Sequence, residues 1–125
     1  QTMQTTMMDL CGVFRTAGSL RQAQRELADV QERLHHVRLM DRGARYNTEI
    51  LEAIELGNLL DLAQATVASA LARQESRGAH YREDFPTRND AAWLKHTLAH
   101  KTGSSVTLAY KPVTITRHQP QERKY

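Results

Sequence analysis

The sequence predicts a mainly α-helical domain that carries a small β-hairpin. Apolar residues recur at helical spacing through the first 73 positions, whereas residues 93–113 contain two short strand-like runs on either side of a glycine. The 125 residues are 40% hydrophobic and 25% charged, which suits one folded core. We therefore expect an antiparallel three-helix bundle over residues 1–73. Residues 74–125 are expected to add a long ordered loop, the hairpin and an extended basic tail to the same domain.

The first helix is expected over residues 5–15. Met7, Leu10, Cys11 and Phe14 have the i, i+3, i+4, i+7 spacing of one helix face. The pair Ala17-Gly18 is expected to end this helix, because glycine is a poor helix former.

The second helix is expected to begin at Ser19, where Gln22 completes a capping-box pattern. Its apolar residues repeat every seven positions and form a seam of Leu20, Ala23, Leu27, Val30, Leu34 and Val37. Such a seam suits an isolated coiled coil or one helix of a bundle. The apolar helices on both sides in sequence favour the bundle.

The third helix is expected to run from the caps Asn47 and Thr48 to about Arg73. Apolar residues cover more than half of its circumference, and this is typical of a helix with neighbours on several sides. We therefore expect it to be the central helix.

The segment 74–92 is a polar loop in which basic and acidic residues alternate. The basic or imidazole groups are Arg77, His80, Arg82 and Arg88, and the acidic groups are Glu75, Glu83, Asp84 and Asp90. One interpretation is a solvated connection with weak local ion pairs. The other is a loop that lies across a larger surface, with arginine forks and aromatic anchors. Composition alone does not choose between them.

The hairpin is expected to pair residues 93–98 with 106–113 across the turn 101–104. Pro112 restricts the second strand to an edge or to its own end. Basic and acidic residues balance at 13 each over residues 1–110, so the net charge of +3 comes from the last 15 residues. This basic tail could contact an acidic surface or phosphate, but it lacks the aromatic residues and dense basic stripe of nucleic-acid binders.

We predict no catalytic, cofactor-binding or metal-binding residue in this sequence. It has no glycine-rich nucleotide fingerprint. His96 and His100 lack a third metal ligand nearby, and Cys11 fits a buried apolar position better than a reactive thiolate. His80, close to Glu83 and Asp84, could act as a general acid or base, although ion pairing within the loop is the favoured interpretation.

Several blocks of the sequence resemble the C-terminal region of succinate dehydrogenase and fumarate reductase flavoprotein subunits. The most specific is Glu75-Ser76-Arg77-Gly78-Ala79-His80, within a similar run over residues 73–90. Further similar blocks lie at 12–15, 49–55, 58–61, 69–70, 93–98, 110–113 and 122–125. L-aspartate oxidase, a more distant relative, shares the helical region and a similar loop, but the ending favours the dehydrogenase.

The resemblance implies a parent protein that interconverts succinate and fumarate by hydride transfer to covalently held FAD. In that family the flavin-binding and capping domains, the flavin attachment site and the substrate-binding residues precede this region, and electrons pass to an iron–sulfur subunit and a membrane anchor. None of those motifs occurs here. The resemblance therefore implies a piece of a longer chain that is structural and not catalytic alone.

The resemblance also implies contacts with the flavin-binding and capping domains of the same subunit and with the iron–sulfur subunit. The candidate contact residues are Arg77, His80, Arg82, Arg88 and Arg123. The parent would lie on the cytoplasmic side of the inner membrane in bacteria, or on the matrix side in mitochondria, without inserting into the membrane. The alternative is a free-standing helical interaction module that uses the leucine seam or the basic tail.

Overall fold

The computed structural model describes residues 1–43 and 45–121. Its elements, in chain order, are α1 (Thr2–Leu10), α2 (Ala17–Leu34), α3 (Thr48–Ala72), α4 (Asp90–Trp93), β1 (Lys95–Thr102) and β2 (Ser105–Pro112). The mainly helical class and the small antiparallel sheet are confirmed. The short helix α4 was not predicted; it begins where the Asn89 side chain accepts a hydrogen bond from the Ala92 amide.

Helix α1 ends at Leu10, five residues earlier than predicted. The cause is Gly12, where a Cβ atom would lie only 2.5 Å from the Met8 carbonyl oxygen, so the chain turns where only glycine fits. Phe14 therefore lies outside the helix and is 69% exposed instead of packing beside Met7 and Leu10. The prediction that Phe14 shares the buried face of α1 is wrong.

Helix α2 begins at Ala17, so the prediction that Ala17 and Gly18 end a helix is wrong, as is the predicted start at Ser19. Thr16 is the N-cap. Its hydroxyl accepts from the Ser19 amide at 3.1 Å, and the Ser19 hydroxyl accepts from the Thr16 amide at 3.0 Å. This reciprocal capping box satisfies two amides that a helix start leaves without partners, and it tolerates Gly18 in the first turn.

We expect Thr16→Ala to reduce the free energy of unfolding by about 1 kcal/mol, because one amide of α2 loses its acceptor. Thr16→Ser keeps the hydroxyl and is the matched control. Chemical denaturation of both variants measures the difference. Equal stabilities of the alanine and serine variants would show that the cap contributes nothing.

The core lies between α2 and α3. Helix α1 also packs against α2. Leu20, Ala23 and Leu27 of the predicted seam are buried, and Val30 and Leu34 pack against the core from its edge. Val37 follows the end of α2 and is exposed. The buried apolar residues are Cys11, Leu20, Ala23, Leu27, Leu60, Ala63, Val67 and Ala70. Leu20 and Leu27 of the seam are thus packed inside this chain.

Helix α3 contacts α2 on one side and the hairpin on another. Its remaining face is apolar yet exposed, and includes Leu51, Ile54, Leu59 and Leu62. None of the described residues covers that face. Apolar residues cover more than half of α3, but only part of that apolar surface is buried within this chain.

The hairpin pairs β1 with β2 in a register that runs from Lys95 opposite Pro112 to Thr102 opposite Ser105. Gly103, with φ of +62°, and Ser104 form a two-residue turn, which is shorter than the predicted one. Pro112 ends β2, as predicted. The ammonium group of Lys101 pairs with the Asp61 carboxylate and ties the hairpin to α3.

Residues 114–121 form neither helix nor strand. The end of the predicted basic tail, residues 122–125 with the candidate contact residue Arg123, lies outside the described residues. Within the described part of the chain, no helix is long and apolar enough to cross a membrane.

Candidate functional site

The loop between α3 and α4, residues 73–89, is ordered by its own hydrogen bonds. Arg77 and His80 exchange backbone hydrogen bonds of 2.8 and 3.0 Å around Gly78, which has φ of +59°. The Ser76 hydroxyl accepts from the Arg82 amide at 2.9 Å and donates to the Phe85 carbonyl at 2.9 Å. These bonds replace the secondary structure that the loop lacks. We call this segment the arginine loop.

Glu75 is the buried centre of the arginine loop and has no exposed side-chain surface. Its carboxylate accepts from Arg73 Nη1 at 2.6 Å, from Arg77 Nε at 2.7 Å and Nη2 at 3.0 Å, and from the Asn89 amide at 2.8 Å. Burial alone raises the pKa of Glu75, but the hydrogen bonds from Arg77, Asn89 and Arg73 outweigh burial and hold that pKa below its ordinary value. The buried charge is thus fully hydrogen-bonded.

Arg82 connects the loop to the end of α3. Its Nη1 donates to the carbonyl oxygens of Ala70 and Leu71 at 2.9 and 3.1 Å, and to that of Arg73 at 3.4 Å. These are carbonyls that a helix end leaves without intrahelical donors. Its Nε and Nη2 form a two-pronged pair with Asp84, at 2.7 and 2.8 Å. Arg82 is 1% exposed, so its guanidinium lies inside the domain and not on the contact surface expected from the sequence.

Asp84 extends this connection to the start of α2, where it accepts from the Ala17 amide at 2.9 Å. The hydrogen bonds from Arg82, assisted by the Ala17 amide and opposed by partial burial, lower the pKa of Asp84 to about 2. A carboxyl group whose pKa is lower in the folded state stabilises the fold above its unfolded-state pKa. That stabilisation is lost as the pH falls through the folded-state value.

We therefore expect the stability difference between the wild type and Asp84→Asn to be full above about pH 5 and to shrink as the pH falls towards 2. At the lower pH Asp84 becomes protonated and resembles the amide. Denaturant unfolding at several pH values measures this difference. Glu83→Gln removes the adjacent exposed carboxylate and is the control for a change in loop charge. A pH-independent difference for Asp84→Asn would contradict the assignment.

His80 contacts neither Glu83 nor Asp84 through its ring, so the sequence-based suggestion of ion pairing with them is wrong. Its Nδ1 lies 3.0 Å from Arg15 Nη1, and its Nε2 lies 3.3 Å from the Arg73 carbonyl oxygen. Because a guanidinium only donates, Nδ1 is the acceptor and Nε2 carries the proton. Burial, together with the nearby arginines, holds the pKa of His80 below its ordinary value. A neutral histidine with both nitrogens engaged is a structural link.

Arg77 and Arg88 meet at Asp90, the first residue of α4. Arg77 Nη2 lies 2.6 Å from one carboxylate oxygen, and Arg88 Nη2 lies 2.9 Å from the other. Arg88 also donates to the Gln121 carbonyl oxygen at 2.7 Å, which brings the tail against the loop. Both arginine side chains keep more than a quarter of their surface exposed. Both therefore remain accessible, as does the half-buried His80, among the contact residues predicted from the sequence.

A groove of about 670 Å³ lies beside the arginine loop, between α3 and the start of the hairpin. Its lining residues include Arg15, Leu62, Arg73, His80 and Lys95. The Lys95 ammonium lies 4.6 Å from the Trp93 ring and 4.2 Å from the Tyr110 ring. We call this the basic groove.

The chemistry of these groups is that of a structural site. Among the described residues no cluster of three or more His, Cys, Asp or Glu side chains could hold a metal ion. Cys11 is buried, and burial raises the pKa of its thiol, which disfavours the reactive thiolate. The buried side-chain polar atoms of the described residues all have hydrogen-bond partners.

Sequence reasoning missed Arg15, Arg73 and the buried state of Glu75. Arg73 donates to Glu75, to Thr97 and to the carbonyl oxygens of Trp93 and Lys95, so it joins the loop to the hairpin. Nothing in the neighbouring sequence distinguishes these three charged side chains from solvent-exposed ones. The partners lie up to 65 positions apart in the chain.

The family described as fumarate reductase flavoprotein C-term matches residues 1–125. The fumarate reductase flavoprotein subunit of Haemophilus influenzae is 41% identical over 124 residues, which are 98% of this chain and 21% of that protein. The succinate dehydrogenase flavoprotein subunit of Rickettsia conorii is 45% identical over 115 residues, or 91% of this chain and 19% of that protein.

A solved structure of Escherichia coli quinol fumarate reductase is similar to this chain with a TM-score of 0.93 and 40% identity. The match covers 97% of this chain and 21% of that chain. A quinol-fumarate reductase solved with menaquinol is similar with a TM-score of 0.88 and 41% identity, over 92% of this chain and 20% of that one. This chain thus spans about a fifth of the length of the relatives it matches.

Proposed function

This chain belongs to the family of fumarate reductase flavoprotein C-terminal regions, and on that premise we propose that it completes a flavoprotein subunit that interconverts succinate and fumarate. The observation that carries the proposal is the match over the whole chain, at 41–45% identity, to subunits of both enzymes. In this proposal FAD and the dicarboxylate bind to the preceding four-fifths of the subunit, and this region contributes no catalytic residue.

The role proposed for this region is to present an ordered surface to the rest of the enzyme. The arginine loop supports it, because Glu75 and Arg82 bind groups within the domain and hold the loop in one conformation. The two parts that we distinguished, 1–73 and 74–125, then act as one domain. The Glu83 amide donates to the Arg15 carbonyl oxygen at 2.9 Å, and Arg82 donates to the end of α3, so both parts share hydrogen bonds. Helices α1, α2 and α3 would form an antiparallel bundle.

The proposed partners are the flavin-binding and capping domains of the same subunit and an iron–sulfur subunit. Arg77, His80 and Arg88 remain proposed contact residues, with Arg123 in the tail. Arg82 would act indirectly, by fixing the shape of the loop. Two solved relatives are quinol fumarate reductases, which supports a peripheral position on the cytoplasmic side of the bacterial inner membrane, or on the matrix side in mitochondria.

The test is the size and flavin content of the native protein. A denaturing gel of source-cell extract, probed with an antibody to this chain, should show one band about five times heavier than 14.2 kDa. Covalent flavin should make that band fluorescent, and the purified protein should convert succinate and fumarate. A single 14 kDa band without flavin would refute the proposal.

A further inference from the structure

His80 lies among arginine side chains that come from three different parts of the chain. Arg15 is in the connection between α1 and α2, Arg73 follows α3, and Arg82 is in the arginine loop. Partial burial of the imidazole ring and the charges of these three arginines hold the pKa of His80 below its ordinary value. His80 therefore stays neutral to a lower pH than an exposed histidine does.

No carboxylate of the described residues forms an ion pair with the His80 ring. Glu75 is already bound by two arginines of the loop, and Asp84 by a third. Glu83, which follows in the loop, is exposed. The basic groove beside the ring has no acidic lining residue, and its other ionisable side chains are Arg77, Lys95 and His96. A positive charge on His80 would therefore meet cations and no counterion.

The hydrogen bonds of His80 also require the neutral ring. Its Nδ1 accepts from Arg15 Nη1 at 3.0 Å, and its Nε2 donates to the Arg73 carbonyl oxygen at 3.3 Å. Protonation adds a hydrogen to Nδ1, and both Nδ1 and the Arg15 guanidinium are then donors. One proton thus replaces an attractive contact with a repulsive one.

Two other hydrogen bonds join the arginine loop to the same connection, and neither responds to mild acid. The Glu83 amide donates to the Arg15 carbonyl oxygen at 2.9 Å, and a backbone amide does not titrate. The Asp84 carboxylate accepts from the Ala17 amide at 2.9 Å, and its pKa of about 2 keeps it charged. Mild acid therefore removes the His80 contact and leaves these two bonds in place, so the response is local.

We propose that His80 is an acid-sensitive latch, in which protonation of Nδ1 breaks the contact with Arg15 and releases the turn at residues 77–81 from the connection between α1 and α2. The Phe14 and Tyr81 rings, which meet edge to face beside the latch with centroids 6.1 Å apart, separate as the turn moves. The helices and the buried Glu75 stay in place. Since the latch lies within this chain, it does not depend on the proposed function.

The pH range of the latch follows from the difference between its open and closed states. In the open state the His80 ring is in water and has the ordinary pKa of about 6.5, whereas the pKa of the closed state is lower. The closed state is therefore fully favoured above about pH 6.5. Its advantage shrinks by up to about tenfold per pH unit as the pH falls from there to the lower pKa, and below that pKa it falls no further.

The first experiment measures hydrogen–deuterium exchange of the native full-length protein by mass spectrometry over a series of pH values. Exchange at the Cε1–H of the His80 ring reports its pKa, which should lie below the ordinary value. Amide protection at residues 77–81, corrected for the intrinsic pH dependence of exchange, should fall about fivefold from about pH 7.5 to about pH 5.5. Protection in the middle of α3 should not change. Constant protection at residues 77–81, or a His80 pKa above the ordinary value, would overturn the proposal.

The second experiment repeats the measurement on three variants. His80→Gln keeps an acceptor and a donor but takes up no proton, so its protection at residues 77–81 should not depend on pH. His80→Arg carries a permanent charge and should show low protection at both pH values. His100→Gln removes an exposed histidine of β1 and should respond to pH as the wild type does.

A wild-type pH response in His80→Gln would overturn the proposal, because another group would then be the titrating one. Wild-type protection in His80→Arg would do the same, since a charge at this position would not open the turn. The wild-type measurement needs no substitution, so it decides the matter even where a variant does not fold.

Discussion

Replacing Arg82 with Ala is expected to reduce the free energy of unfolding by about 3–5 kcal/mol, because it leaves buried partners without their donor. Asp84 loses its counterion, and the carbonyl oxygens at the end of α3 lose the guanidinium that caps them. The loss is a large part of the roughly 5–15 kcal/mol that stabilises an ordinary domain. Denaturant unfolding of the 125-residue chain measures it.

Two further variants make this test specific. Arg82→Lys keeps the charge but not the planar fork, so it should recover only a minor part of the loss. Arg88→Ala removes a partly exposed arginine from the same loop and should cost a small fraction of what Arg82→Ala costs. If Arg82→Ala and Arg88→Ala are equally mild, Arg82 does not hold the loop on α3.

The second large effect is expected at Glu75. Glu75→Ala removes the acceptor for Arg73, Arg77 and the Asn89 amide in a site that water does not reach, and we expect a loss of about 3–5 kcal/mol. Glu75→Gln keeps the shape but directs an NH₂ group at a guanidinium, so it should recover only part of the loss. The loop should also become sensitive to proteases.

Glu83→Gln provides the control for this change, since Glu83 is an exposed carboxylate in the same loop. Unfolding free energies and the rate of proteolytic cleavage within residues 74–89 should match the wild type for Glu83→Gln and not for Glu75→Gln. Wild-type behaviour of both variants would mean that the buried carboxylate is dispensable for loop order.

The secondary structure was largely predictable, because helix and hairpin signals are local. The seven-residue spacing identified Leu20, Ala23 and Leu27 as core positions, and Gly103 marked the hairpin turn. The boundaries near residues 11–19 were not predictable. They depend on the close approach of Gly12 to the Met8 carbonyl oxygen and on the capping box at Thr16, and both are properties of the folded backbone.

The sequence by itself determined the helical class, the hairpin and the family, because periodicity and a specific block such as Glu75 to His80 are present in the residue order. The tertiary structure alone decided which charges are buried and which side chain each one binds. Arg82 is buried, Arg88 is partly exposed, and Arg15 reaches His80 from 65 positions away. The physical reason is that the energy of an ion depends on its distance to other charges and to water, and only the folded chain sets those distances.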